Sequence, residues 1–348
     1  MAQQLRFAPD AFGDNGNSLK LLFVVDPLDS LKAYKDSTIA MMRAAEKHGH
    51  EVYACEVASL CWRRPEPGQP GVFCLAYHLH TRPDDHDWYR ETGFETLPLK
   101  AFDAVLMRKD PPFDTEYVTA TWLLERAEAE GARVYNKPRA LRDHSEKLAI
   151  AEFDRYTVPT LVSRDMNLIQ HFIEAQRDVV VKPLDGMGGS QIFRIHRNDS
   201  NRNSILETLT HLGQRTIMVQ RYLQEISQGD KRILLIAGKP VPWCLARIPK
   251  AGETRGNLAA GGTGVAQELS PRDRQIAEHL GPILWKRGLF IVGLDVIGEH
   301  LTEINVTSPT CMVEIRQQTG FDAAGACITA LEHLCSSATA ASSSSSAS

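Results

Sequence analysis

Several features that would each point to a function class are missing from this sequence. Its seven cysteines are an odd number, and none of them form a CxxC pair. A disulfide framework is therefore not expected, and the thiols read as reduced, cytoplasmic ones. No apolar run approaches the roughly 18 residues of a membrane span. Lys and Arg total 39 against 43 Asp and Glu, for a net charge of −4. That leaves no electrostatic footprint for a nucleic-acid or anionic-membrane partner. No GxSxG elbow is present and no cysteine has an evident histidine partner, so a protein nucleophile is not indicated. The familiar phosphate loop GxxxxGK[ST] is absent as well.

What is present is an ordinary globular composition, 43% hydrophobic and 24% charged over 348 residues. This is enough for two or three domains and fits an enzyme. Residues 1–18 lack the charged-then-apolar pattern of a signal peptide and read as a loose extension. Residues 336–348, SSATAASSSSSAS, are Ser/Ala low complexity and read as disordered. Between these ends, 19–25 and 51–55 read as strands around a helix capped by Ser37 and stopped at Gly49. Residues 102–107 and 133–135 repeat the pattern around a helix capped by Thr115, and two such βαβ units predict an open α/β layer with a parallel sheet. The Pro-rich polar stretch 61–96 reads as an irregular insertion. Asp143 and Glu146 have capping-box spacing, which would place Lys147 in a first helical turn.

Residues 179–195, VVVKPLDGMGGSQIFRI, carry the strongest chemical signal. Three β-branched residues predict a buried strand, followed by Lys182, the glycines Gly186, Gly188 and Gly189 around Met187, and a second strand. Glycines let backbone N–H groups approach anionic oxygens, and the lysine adds a point charge. These glycines do not lead into a helix as GxGxxG requires, so a plain turn remains an alternative. Further on, KAGETRGNLAAGGTG is too polar for core and too long for a tight turn. Its place within one domain favours a lid.

The last predicted hairpin holds GLDVIGEHLTEINVTSPT. Glu303 and Asn305 are two apart on a strand and share a face, and Asp295 on the partner strand can join them. Such hard oxygen donors suit Mg²⁺ bridging nucleotide phosphates, while a solvated strand face is the plainer reading. Lys182, Arg232 and Arg247 interrupt apolar strands, and together they suggest a polyanionic ligand. Asp230 and Glu225 are ribose acceptors or turn residues. His78, His80 and His86 among Asp84, Asp85 and Asp87 are a weaker metal candidate.

Taken together, VLMRKDPPFDTEYV, KPLDGMGGSQIFRI, GDKRILLI, CLARIPKAGETRGNLAAGGTG and GLDVIGEHLTEINVTSPT resemble the prokaryotic glutathione synthetases of the ATP-grasp superfamily, over about residues 20–330. The resemblance implies an ATP-grasp fold: a Rossmann-like pre-ATP-grasp α/β domain (19–140), a small α+β lid domain (141–222) and a C-terminal α+β domain (223–335) with a lid loop at 249–264. It implies a cytoplasmic ligase that joins γ-glutamylcysteine to glycine through an acyl phosphate, with ATP as co-substrate, Mg²⁺ (or Mn²⁺) as metal, and a homotetrameric assembly. By motif, Lys147, Lys182 and Gly186, Met187, Gly188 and Gly189 would hold ATP phosphates. Gln220, Tyr222 and Leu223 would flank adenine, with Asp230 at the ribose. Asp295, Glu303 and Asn305 would bind the metal. Arg232, Arg247 and Lys182 would act in catalysis, and Asp110, Arg232, Arg247, Ser308, Pro309 and Thr310 would bind the peptide. Other readings are a different ATP-grasp ligase, one joining D-alanines or adding glutamate to a protein tail, or a nucleotide-binding regulator.

Overall fold

The computed structural model describes residues 18–64, 67–253, 255, 256, 258 and 261–345. The loose extension expected at 1–18 thus falls almost wholly outside the described residues. Leu21 to Val25 are each at most 1% exposed, the uninterrupted burial of a strand covered on both faces. This is β1 (Lys20–Val25), followed by α1 (Ser37–Lys47), β2 (Glu51–Glu56), β3 (Cys61–Arg63), β4 (Gly71–Thr81), β5 (Tyr89–Pro98), β6 (Ala104–Met107), α2 (Thr115–Ala129), β7 (Val134–Tyr135) and α3 (Pro138–Asp143). The sheet order is β3-β4-β2-β1-β6-β7, with β5 on β4. β2, β1, β6 and β7 run parallel. Tyr117, Ala120 and Leu124 of α2 pack with Leu22, Val24 and Val105, and Ile39 and Met42 of α1 pack with Leu21, Phe23 and Leu106 on the other face.

Two details of this layer differ from the sequence expectation. The carboxylates of Asp36 and Asp114 cap the two helices, one residue before Ser37 and Thr115. Ser37 instead accepts the N–H of Met312, 3.2 Å away. The stretch 61–96 is not irregular: β3, β4 and most of β5 extend the sheet antiparallel. Buried Val72, Cys74 and Ala76 give β4 its period of two, a signal hidden by the polar, Pro-rich turns around it.

A second layer contains a 3-10 segment (Leu148–Tyr156), β8 (Thr160–Ser163), α4 (Met166–Gln176), β9 (Asp178–Pro183), β10 (Phe193–His196), α5 (Arg202–Thr210) and β11 (Ile217–Arg221). Its antiparallel order is β10-β9-β11-β8, over a core of Ile169, Ile173, Val179, Val181 and Leu206. The third layer contains β12 (Asp230–Ile236), β13 (Lys239–Ile248), β14 (Thr263–Glu268), α6 (Pro271–Lys286), β15 (Ile291–Ile297), β16 (His300–Asn305), α7 (Met312–Thr319) and α8 (Ala323–Ser345), in the order β14-β13-β12-β15-β16. Ile276 and Leu280 of α6 cover Ile233, Leu235 and Leu294 on one face, which leaves the end of the opposite face for other work. The backbone of α8 runs on to Ser345, into the stretch expected to be disordered. Alanine is the strongest helix former and can carry a helix through serines. No helix among the described residues is long and apolar enough to cross a membrane.

Asn136 ties the first layer to the third. Its Nδ2 donates to the carbonyls of Ile291 (2.9 Å) and Val306 (2.7 Å), and its Oδ1 accepts from the N–H groups of Phe290 (2.6 Å) and Ile291 (2.8 Å). All of an amide's directional capacity is used on buried backbone. Glu146 also performs a different task from the capping box expected of it. Its Oε1 accepts from Val306 N, Thr307 N and the Thr307 hydroxyl at 2.8, 3.0 and 2.9 Å, fixing the chain just beyond β16. Asp143 closes α3 and Lys147 stands immediately before the 3-10 segment.

Candidate active site

Strand register assembles the charged face. Arg232 on β12 lies opposite Asp295 on β15, which lies opposite Glu303 on β16, and Asn305 is opposite Gly293. Asp230 is opposite Arg247 on β13. Directly paired residues, and residues two apart, point to one face. Asp230, Arg232, Arg247, Asp295, Glu303 and Asn305 therefore stand together, and all line a cleft of about 630 Å³.

The electrostatics of this face are tightly interlocked. Asp295 accepts from Arg232 Nε at 2.5 Å and Nη2 at 3.1 Å, and Arg247 Nη2 lies 2.9 Å from its Oδ2. Burial would raise the Asp295 carboxyl, but the two guanidiniums outweigh it and hold the group well below the usual carboxylate range. Asp230 Oδ2 accepts from Arg247 at 2.6 Å, while its buried Oδ1 has no partner. Burial, with help from Asp295 and Glu303, pushes Asp230 up to about 6 against the pull of Arg247. Burial likewise works to raise Glu303, yet Lys147 and Lys182 bring it below its ordinary value.

Those lysines come from the opposite wall. Residues 179–195 form the expected hairpin, with Phe193 opposite Val181 and Ile195 opposite Val179. Lys182, 5% exposed, reaches across to Glu303 Oε1 at 3.2 Å. Lys147 lies 3.8 Å from the same oxygen and donates to the carbonyl of Gly186 at 2.6 Å. Gly188 and Gly189 have φ of 61° and 82°, a backbone region open to glycine but costly for other residues. Gly186, Met187, Gly188 and Gly189 line the cleft with Gln220, Tyr222 and Leu223. The Arg194 guanidinium lies 3.6 Å from the Tyr222 ring centroid and pairs with Asp178 at 3.0 and 2.6 Å, which fixes that ring.

Asp110, Ser308, Pro309 and Thr310 also line the cleft. Arg108, which was not anticipated, is buried and donates to the carbonyl of Pro309 at 3.0 Å and to the Thr38 hydroxyl at 3.1 Å. Burial raises the Asp110 carboxyl, opposed by Ser308 and Arg108. Of the expected lid at 249–264, Thr263 and Gly264 already belong to β14, and 254, 257, 259 and 260 fall outside the described residues. Arg255 donates to the carbonyl of Gly189 at 3.4 Å, so this loop meets the glycine loop of the facing wall. A Cβ on Gly256 would lie 2.4 Å from the Arg247 carbonyl oxygen, so only glycine fits this close approach.

The histidine expectation fails. His80 meets Glu46 (2.9 Å) and His78 meets Thr92 (2.8 Å), while the His86 backbone N–H donates to Asp84. Among the described residues these histidines do not gather into a metal-holding group. His48, His50 and Glu332 do converge, each histidine being 3.0 Å from Glu332 Oε1. None of the three lines the cleft. The N–H of Leu19 points at His50 Nδ1, 3.3 Å away, so Nε2 carries the proton and donates to Glu332. A metal facing Glu332 would need a lone pair on Nε2, and the group is better described as a clasp holding α8 to the end of α1.

Two antiparallel sheets that close on a cleft, lysines and a glycine loop from one and carboxylates from the other, define an ATP-grasp ligase. Among solved structures, a D-cycloserine synthetase superposes with a TM-score of 0.61 over 91% of this chain and 99% of its own at 14% identity, and the D-alanyl-alanine synthetase A of Vibrio cholerae with 0.57 over 91% and 98% at 12%. At such identities these matches speak for the fold alone. The family models for the prokaryotic glutathione synthetase N-terminal domain and ATP-grasp domain match residues 19–142 and 146–320. Glutathione synthetases of Ralstonia nicotianae and Nitrosomonas europaea are each 59% identical, covering 90% of this chain and 95% and 98% of those relatives. The chain belongs to the prokaryotic glutathione synthetase family.

Proposed function

We propose that this cleft carries out the ATP- and Mg²⁺-dependent ligation of γ-glutamylcysteine to glycine, with the charged face described above as its working surface. The observation that carries the reading is the meeting of Lys147 and Lys182 with Glu303, opposite Asp295 and beside Asn305, within a family of glutathione synthetases. Two lysines and a glycine loop supply cations and backbone N–H groups for ATP phosphates. Gln220, Tyr222 and Leu223 would flank adenine, and the unpartnered Oδ1 of Asp230 is available to a ribose hydroxyl.

The donor set fits a hard divalent cation. Asp295, Glu303 and Asn305 offer two carboxylates and an amide oxygen on one sheet face, the ligand chemistry Mg²⁺ prefers. Bound there, Mg²⁺ (or Mn²⁺) would neutralise phosphate charge. The remaining work falls to the chain. Asp110, Arg247 and Ser308, Pro309 and Thr310 would orient the dipeptide so that its cysteinyl carboxylate faces the γ-phosphate. That carboxylate oxygen attacks phosphorus, the bond to the bridging oxygen breaks, and ADP leaves. The neutral glycine amine then attacks the acyl carbon, and phosphate departs with the proton that the nitrogen sheds as the peptide C–N bond is made. Arg232, kept charged by Asp295, stands where negative charge grows on the acyl phosphate and the tetrahedral intermediate. Lys182 balances the transferring phosphoryl group. The loop carrying Arg255 and Gly256 would close over the intermediate and exclude water.

Phosphate release with γ-glutamylcysteine plus glycine, set against D-alanine, tests the activity. Turnover with the first pair alone is expected, and turnover with D-alanine alone would overturn the reading. The homotetramer implied by the family is checked by light scattering.

A further inference from the structure

Two charged side chains in the cleft have binding capacity to spare. Glu314 stands in the first turn of α7 and lines the cleft. Its Oε2 is buried and has no hydrogen-bond partner. Burial lifts its carboxyl above the ordinary range, while a hydrogen bond from its own backbone N–H and then Lys35 and Arg232 pull it back. Lys35 lines the same cleft. Among the described residues its ammonium faces no carboxylate within ion-pair distance, and it lies 5.5 Å from the centroid of the Tyr34 ring. A buried acceptor without a donor is costly and persists where a ligand completes it.

We propose that Glu314 and Lys35 recognise the zwitterionic α-amino acid head of the γ-glutamyl residue, Glu314 accepting from its ammonium and Lys35 pairing with its carboxylate. This rests on the cleft being the dipeptide site. An α-amino acid head carries both charges on one carbon, and here the open Oε2 of Glu314 and the Lys35 ammonium line one cleft, close enough for the lysine to shift the titration of the carboxyl. Glycine carries both charges as well, but its amine has to lose a proton before it attacks. A carboxylate partner stabilises the ammonium and opposes that loss. The γ-glutamyl ammonium takes no part in bond making, so a carboxylate suits it. The pair thus explains how a ligase would select a γ-glutamyl donor over an ordinary peptide, whose corresponding carbon lacks this head.

The test uses the full chain with ATP and Mg²⁺, and compares γ-glutamylcysteine with N-glutarylcysteine, the same dipeptide bearing hydrogen in place of the α-amino group. In the wild type the analogue is expected to show a KM higher by about tenfold to a hundredfold, the worth of one charged hydrogen bond. Glu314→Gln should raise the KM for γ-glutamylcysteine by a similar factor and erase its advantage over the analogue. The KM for glycine should move by less than about threefold, since no charged contact to it is lost. Lys35→Met should do the same against the analogue lacking the α-carboxylate. A wild type that takes both dipeptides with equal KM overturns the proposal without any variant. So does a Glu314→Gln defect that falls in glycine KM, or in the pH profile of amine attack. A wild type with no turnover of γ-glutamylcysteine and glycine would instead defeat the activity reading beneath it.

Discussion

Replacing Glu303 by Gln should invert the nucleotide preference of the free enzyme. The carboxylate meets the ammonium groups of Lys182 and Lys147 at 3.2 and 3.8 Å, and both lysines are about 5% exposed. At an effective dielectric constant near 20 these separations correspond to attractions of roughly 5 and 4 kcal/mol before desolvation is counted. Breaking a buried pair from one side costs about 3–5 kcal/mol, because the stranded charges stay buried. A chain of 348 residues unfolds with an entropy near 0.7 kcal/mol/K, so the nucleotide-free variant should melt about 4–7 °C lower. Metal-free ATP offers the two lysines new counter-charges and no longer competes with Glu303. It should therefore bind the variant at least as tightly as the wild type, while Mg²⁺–ATP binds more weakly and ligation falls by at least about a hundredfold. Melting curves and titration calorimetry with and without Mg²⁺ read both arms. If metal-free ATP also loses affinity, the two lysines are not the phosphate-binding groups and the assignment fails.

Gly256→Ala should place a methyl against the Arg247 carbonyl and keep the loop from seating, so more ATP is hydrolysed per glutathione formed. An unchanged ratio of phosphate to product counts against a lid. Asn136→Ala removes four buried hydrogen bonds between the first and third layers and should lower stability by about 3–5 kcal/mol in denaturant titration; a loss under about 1 kcal/mol would show the layers are held by packing alone. His144 is pushed down to about 4, first by burial and then by Arg287, and its Nε2 has no partner. Its folded value lies below the unfolded one near 6.5, so the native state binds fewer protons between them. Stability is then full above about 6.5 and declines as pH falls toward 4, by about 2 kcal/mol between pH 7 and 5. His144→Asn should flatten that slope, and an equally steep slope in the variant would shift the effect to another group.

How much of this was legible in the sequence depends on the range of the contact. Local signals read correctly where a pattern repeats along the chain. The β-branched run before Lys182 became β9, the glycines became its loop, and the spacing of Glu303 and Asn305 put them on one face, because pleat and turn chemistry act over a few residues. The insertion at 61–96 was misread because β4 is flanked by polar turns that dilute its alternation. Glu146 was misread because its capping spacing was real while its carboxylate goes to Val306 and Thr307, 160 residues away.

Sequence alone therefore determined most of the elements outside 61–96 and the Ser-rich tail, the charged residues in the strands it read, and the family, since each is written in neighbouring residues or in blocks matched one by one. Only the tertiary structure decided which charges meet. Lys182 and Glu303 are 121 positions apart and touch because two sheets close on one another. Burial raises the Asp230 carboxyl, while the equally buried Asp295 is lowered because two guanidiniums bond it directly where one bonds Asp230. Glu314 carried no motif at all, and its open oxygen became visible only once α7 had been packed against the cleft.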